Sequence, residues 1–132
     1  MHQKRVLIID DDRQISEGAA IRLHSAGYSA RIARNVSEGV LEARRDHLDA
    51  IVLDIRMPEM NGLEALDVLK NDPKTSHIPV VMLSASIDDE ATSLDSGAHY
   101  FIRKPFAGQS LVEAVDAATE TSNQHDLHHQ RK

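Results

Sequence analysis

Val6-Leu7-Ile8-Ile9-Asp10-Asp11-Asp12 decides the fold, because an unbroken aliphatic run passes straight into three carboxylates. The run is too short for a helix and does not alternate with polar residues. That is the pattern of a strand in a parallel sheet covered by helices on both faces. Ala50-Ile51-Val52-Leu53-Asp54 and Val80-Val81-Met82-Leu83-Ser84 repeat the form, with longer stretches of helical period between. Tyr28 to Ala33 is more polar and Tyr100-Phe101-Ile102 is short, which places both near the sheet edges. Five strand–helix units follow, an α/β doubly wound (βα)5 three-layer sandwich.

The helices carry their own punctuation. The first is expected to start after Asp12, present Ile15, Ala19 and Leu23 on one face, and end at Gly27. Asn35 with Glu38 three residues on forms a capping box for the second, followed by Val40 and Leu41. The third carries Leu63, Leu66 and Leu69 and must stop before Pro73. A fourth, opened by Asp88, runs to Gly97 and buries little besides Leu94. The fifth presents Leu111, Val115 and Ala118 and fades near Thr121. Residues 122–132 are almost devoid of apolar side chains and read as a disordered tail. His125, His128 and His129 there lack the carboxylate support of a built metal site.

Composition excludes several classes. The 132 residues suit one domain, 41% apolar and 27% charged as in ordinary globular chains. There is no cysteine, hence no disulfide frame, thiolate metal site or cysteine nucleophile. No aliphatic run approaches the roughly 18 residues of a membrane helix, and the basic start lacks a cleavage site, so no membrane association and no export are expected. With 15 basic and 21 acidic residues the net charge is −6, the wrong sign for direct nucleic-acid binding.

In a doubly wound sheet, ligands bind beyond the carboxyl ends of the strands. Those positions hold Asp10 and Asp11, Asp54, Ser84, and Lys104 followed by Pro105. Taken singly, each has an ordinary reading: an acidic helix start, a turn residue before Met57-Pro58, a small strand-end residue, a solvated lysine. Jointly they converge on one edge. Three carboxylates so close demand a cation, and oxygen ligands in an open site favour magnesium with room for phosphate. A carboxylate beside that metal is a feasible nucleophile toward phosphorus.

These motifs, with Leu53-Asp54-Ile55-Arg56-Met57-Pro58-Glu59-Met60-Asn61-Gly62 and Lys104-Pro105-Phe106, resemble the receiver domains of two-component response regulators, over about Lys4 to Thr121. The resemblance implies a flavodoxin-like sheet of five parallel strands in the order 2-1-3-4-5. It implies that Asp54 is phosphorylated by a sensor histidine kinase or a histidine phosphotransfer protein. Magnesium would be held by Asp10, Asp11, Asp54 and the carbonyl of Arg56, with Asp10 acting mainly through water. Ser84 would move to a phosphoryl oxygen, Lys104 would pair with another, and a cis bond would precede Pro105. Phe101 would be the aromatic switch, in place of the frequent tyrosine. The stretch from Ser84 to Gly97 is about two residues shorter than the family's usual one, and Arg56 and Ser86 occupy positions that tune hydrolysis of the acyl phosphate.

The expectation is therefore a receiver domain at residues 1–121 and a polar tail at 122–132. It is a cytoplasmic signalling module rather than an enzyme acting on a separate substrate. Its output runs through an unknown downstream protein, a phosphorylation-dependent homodimer or onward transfer. Rival α/β classes lack their marks. No glycine-rich turn for a dinucleotide or glycine-lysine loop for a nucleotide occurs, and no hydroxyl-rich loop for FMN follows the first strand. An aspartyl phosphatase would need threonine where Gln14 stands. A degenerate receiver that docks without phosphorylation would not need all five site residues.

Overall fold

The structure is a computed structural model that describes residues 3–58 and 60–120, side chains included. Its elements alternate throughout: β1 (Arg5–Ile9), α1 (Arg13–Ser25), β2 (Ser29–Ala33), α2 (Val36–Arg45), β3 (Ala50–Asp54), α3 (Gly62–Asn71), β4 (Val80–Ser84), α4 (Asp89–Asp95), β5 (Tyr100–Arg103) and α5 (Gly108–Arg131, described as far as residue 120). The proposed tail at 122–132, and the fading of the fifth helix near Thr121, lie outside the described residues. All strand pairs are parallel, in the order β2-β1-β3-β4-β5. The more polar strand, β2, and the short one, β5, are the edges, as expected.

Strand periodicity sorts the core into two layers. Val6, Ile8, Val52, Val81 and Leu83 pack with Ala19, Leu23, Leu111, Val115 and Ala118 under α1 and α5. Leu7, Ile9, Ile51, Leu53 and Met82 pack with Val36, Ala43, Leu66 and Leu69 under α2 and α3. Both faces of the three central strands are thus covered, which explains why their sequences run apolar without alternation.

The helix faces differ from the expected stripes wherever a small residue does the packing. On α1 the buried residues are Ser16, Ala19, Ala20 and Leu23, with Ile15 half-buried. On α2 they are Val36, Gly39 and Ala43, while Leu41 is 52% exposed. On α4 only Ser93 is buried and Leu94 is 43% exposed, against the expectation for Leu94. Asp12, Asn35 and Asn61 each accept the backbone N–H three residues on, capping α1, α2 and α3. Asp88 precedes α4 without capping it. Gly27 and Gly97 end α1 and α4 with φ of 98° and 107°, the left-handed region glycine favours.

Candidate functional site

Backbone ladders place the site residues side by side. Asp54 pairs in register with Leu83, so Ser84 lies one step beyond it on β4, and Ser84 pairs with Arg103. Three further bonds extend the ladders past the strand ends: Asp10 N to Ala33 O at 3.1 Å, Ile55 N to Leu83 O at 3.0 Å, and Lys104 N to Ser84 O at 2.8 Å. The side chains of Asp10, Asp54, Ser84 and Lys104 therefore project from backbone that the sheet holds.

Asp10 and Asp54 are buried and Asp11 is exposed, and one carboxylate oxygen from each lies within 4.8 Å of the others. Lys104, its side chain 16% exposed, donates to Asp54 Oδ1 at 2.8 Å and stands 3.9 Å from Asp10 Oδ2. Asp10 Oδ1 accepts the Asp12 backbone N–H at 2.9 Å, whereas Oδ2 is buried without a hydrogen-bond partner. Burial raises the Asp10 carboxyl to about 6; the Asp12 N–H pulls it back and the Asp54 charge adds to the rise. Among the described residues a single ammonium faces three carboxylates. The orphaned oxygen and the oxygen-only donor set fit a hard divalent cation such as magnesium.

Gly62 sits where α3 meets this site. Its N–H donates to Ile55 O at 2.7 Å, and a Cβ there would run into the Asp54 carbonyl and lie 2.7 Å from Ile55 Cα. The structure assigns this glycine to close approach, so that α3 can press against the backbone that carries Asp54.

Ser84 reaches the same strand edge, but its hydroxyl is engaged elsewhere. Oγ donates to Asp89 Oδ2 at 2.6 Å and accepts the Ser86 backbone N–H at 3.1 Å. Arg56, its side chain 68% exposed, extends to the same oxygen of Asp89 at 3.2 Å. Sequence reasoning missed Asp89. Its signal was present as a carboxylate five residues after Ser84 in a shortened loop, but of that acidic run only Asp88 was weighed, as the opening of a helix. Phe101 is half-buried against the α2–α3 side of the core, and Tyr100 packs on the α1–α5 side. The Lys104–Pro105 peptide is cis, as the resemblance implied.

Comparison with known proteins agrees with this geometry. Residues 6–116 match the family model of the response regulator receiver domain. The chain is 37% identical over 115 residues to the DNA-binding dual master transcriptional regulator RpaA of Synechocystis sp., covering 86% of this chain and 48% of that protein. It is 34% identical over 117 residues to the DNA-binding response regulator MtrA of Mycolicibacterium smegmatis, covering 87% and 50%. The chain thus spans about half the length of these curated relatives. Among solved structures, a CheY-like response regulator receiver domain protein from Methanospirillum hungatei JF-1 superposes with a TM-score of 0.87 at 26% identity, over 94% of this chain and 99% of that one. NtrX from Brucella abortus superposes with a TM-score of 0.91 at 26% identity, over 99% of this chain and 30% of that one. Sequence, sheet order and the acidic strand edge lead to one assignment: the chain belongs to the response regulator receiver domain family.

Proposed function

We propose that this receiver accepts a phosphoryl group on Asp54 from a phosphohistidine of a sensor kinase or phosphotransfer protein, and signals through protein contacts. The observation that carries the reading is the buried pair Asp10 and Asp54, with one orphaned oxygen on Asp10 and the Lys104 ammonium seated on Asp54. An Asp54 carboxylate oxygen bonds to phosphorus while the phosphorus–nitrogen bond breaks, its electron pair staying on the imidazole. Lys104, 2.8 Å from Asp54 Oδ1, is placed to follow the charge onto a phosphoryl oxygen. Magnesium bound by Asp10, Asp11, Asp54 and the Arg56 carbonyl would supply charge neutralisation and orientation of the phosphoryl oxygens. The protein so described takes part in its own phosphorylation and dephosphorylation and turns over no separate substrate.

Among the described residues no helix is long and apolar enough to cross a membrane. A cytoplasmic setting goes with the phosphohistidine donor proposed above. The DNA binding named for RpaA and MtrA belongs to proteins about twice this length; here the net charge of −6 favours a protein partner. Residues 1–121 form the receiver unit in this proposal, with 122–132 a polar extension.

The test is intact mass after incubation with acetyl phosphate, with and without magnesium, beside Asp54→Asn. The expected result is a magnesium-dependent gain of one phosphoryl group, absent from the variant. A folded protein that gains nothing under any condition would leave the docking module that works without phosphorylation.

A further inference from the structure

The hydroxyl of Ser84 can donate one proton, and in this structure it is already spent. Asp89 Oδ2 receives it at 2.6 Å, a length typical of a bond to an ionised carboxylate. A lone pair of Ser84 Oγ takes the Ser86 N–H at 3.1 Å. Ser86 Oγ in turn accepts Asp88 N–H at 3.3 Å, so the turn from β4 into α4 is wound around the Ser84 hydroxyl. Arg56 holds Asp89 from the other side, at 3.2 Å. Asp89 itself is mostly buried, its side chain 14% exposed, and α4 has no side-chain cap to fix its start independently.

We infer that Asp89 is a positioning residue for the phosphoryl transfer proposed above, and rests on that reading: it holds the Ser84 hydroxyl in the unphosphorylated state by standing in for the phosphoryl oxygen. The backbone of Ser84 is locked by β4 pairing and by the Lys104 N–H on its carbonyl. Exchange of partner therefore proceeds by rotation about the Ser84 Cα–Cβ bond rather than by strand movement. A phosphoryl group on Asp54 competes with Asp89 for one proton. When it wins, Asp89 keeps the Arg56 guanidinium, and the Ser86 N–H that opens the turn loses its acceptor. Breaking the latch and loosening the start of α4 are then one event, a two-state element of the kind a local charge change can bias. Removing Asp89 makes the phosphoryl-bound state easier to reach, because no bond to Ser84 has to be given up.

Beryllofluoride with magnesium, an acyl phosphate analogue that needs no kinase, measures this directly by titration calorimetry. Asp89→Ala is expected to bind it about tenfold more tightly than wild type, the effect of one charge-assisted hydrogen bond no longer lost. Asp89→Asn keeps an acceptor at the same place and is expected to stay within about threefold of wild type. In a Ser84→Ala background, Asp89→Ala is expected to change nothing, since the two residues act through one bond. Three results would overturn the latch: Asp89→Ala binding no tighter than wild type, Asp89→Asn binding as tightly as Asp89→Ala, or the full gain persisting in Ser84→Ala. The second would assign the effect to charge alone and the third to a route that bypasses Ser84. Wild-type protein that takes up no beryllofluoride would instead remove the phosphoryl-accepting reading on which the latch stands.

Discussion

Asp10→Asn should stabilise the protein when no divalent cation is present, although it removes a residue of the site. The Asp10 carboxyl is raised from 3.8 to about 6, chiefly because the fold buries it and then because Asp54 stands nearby. That gap amounts to about 3 kcal/mol of folding stability lost at neutral pH. The amide keeps the acceptor for the Asp12 N–H, bonded at 2.9 Å to Asp10 Oδ1, and removes the buried charge. For a chain of 132 residues the gain corresponds to a rise of about 10 °C in Tm. The sign follows from proton binding. Between 3.8 and about 6 the folded state holds a proton that the unfolded state has released, so wild type loses stability relative to the variant as pH rises through that window. Urea unfolding of both proteins in EDTA, at pH 7 and again near pH 4, reads the difference. It should be about 3 kcal/mol at the higher pH and fall to about 0.5 kcal/mol at the lower. Saturating magnesium should close it from the wild-type side, since a ligand at a hundredfold its Kd adds about 3 kcal/mol. A variant no more stable than wild type in EDTA at pH 7, or a difference indifferent to pH, would refute the account of Asp10.

Four further substitutions probe the frame around the site. Lys104→Met takes from Asp54 and Asp10 the only facing ammonium among the described residues and should destabilise the metal-free protein by about 1–3 kcal/mol in urea, with much of the loss restored by magnesium. Gly62→Ala forces a Cβ into the Asp54 carbonyl and to within 2.7 Å of Ile55 Cα, both backbone atoms with little room to give, and should cost about 3 kcal/mol by the same assay. Asn35→Ala should lower stability by about 1 kcal/mol through loss of the cap on Glu38 N–H, while Asp88→Ala, which removes no cap bond, should stay within about 0.5 kcal/mol of wild type.

What could be read from the sequence divides along a physical line. Val6 to Ile9, Ala50 to Leu53 and Val80 to Leu83 were legible because a strand buried on both faces has no polar positions to confuse the pattern, and parallel pairing brings the residues after each run to one edge. Asp10, Asp54, Ser84 and Lys104 followed from that rule alone. The helix faces were harder, because close packing selects small residues that a search for large apolar side chains overlooks. Gly39 lies in the buried stripe of α2 since a Cβ there would come within 2.5 Å of Ile9 Cδ1, and Leu41 is left outside. Asp89 was out of reach for another reason. Its partner is chosen by the turn between β4 and α4, a three-dimensional detail with no periodicity to announce it.

The site and the latch share one electrostatic logic. Asp10, Asp11 and Asp54 face a single ammonium on Lys104, so the empty arrangement carries an excess of two negative charges. Replacing the Asp54 carboxylate by a doubly charged acyl phosphate adds one more. A divalent cation would reduce the excess to one even after transfer, so on the proposed reading cation and phosphoryl group favour each other at this strand edge. Asp89 adds a fourth carboxylate nearby, but it arrives with its own counter-charge: the Arg56 guanidinium 3.2 Å away. Asp89 can therefore hold Ser84 without deepening the imbalance at Asp54, and it can release Ser84 without being left as a buried, unpaired charge. An isolated carboxylate in that position would have to keep its grip on the hydroxyl, since nothing else would satisfy it. The arginine makes the exchange reversible, and reversibility is what a phosphorylation signal requires.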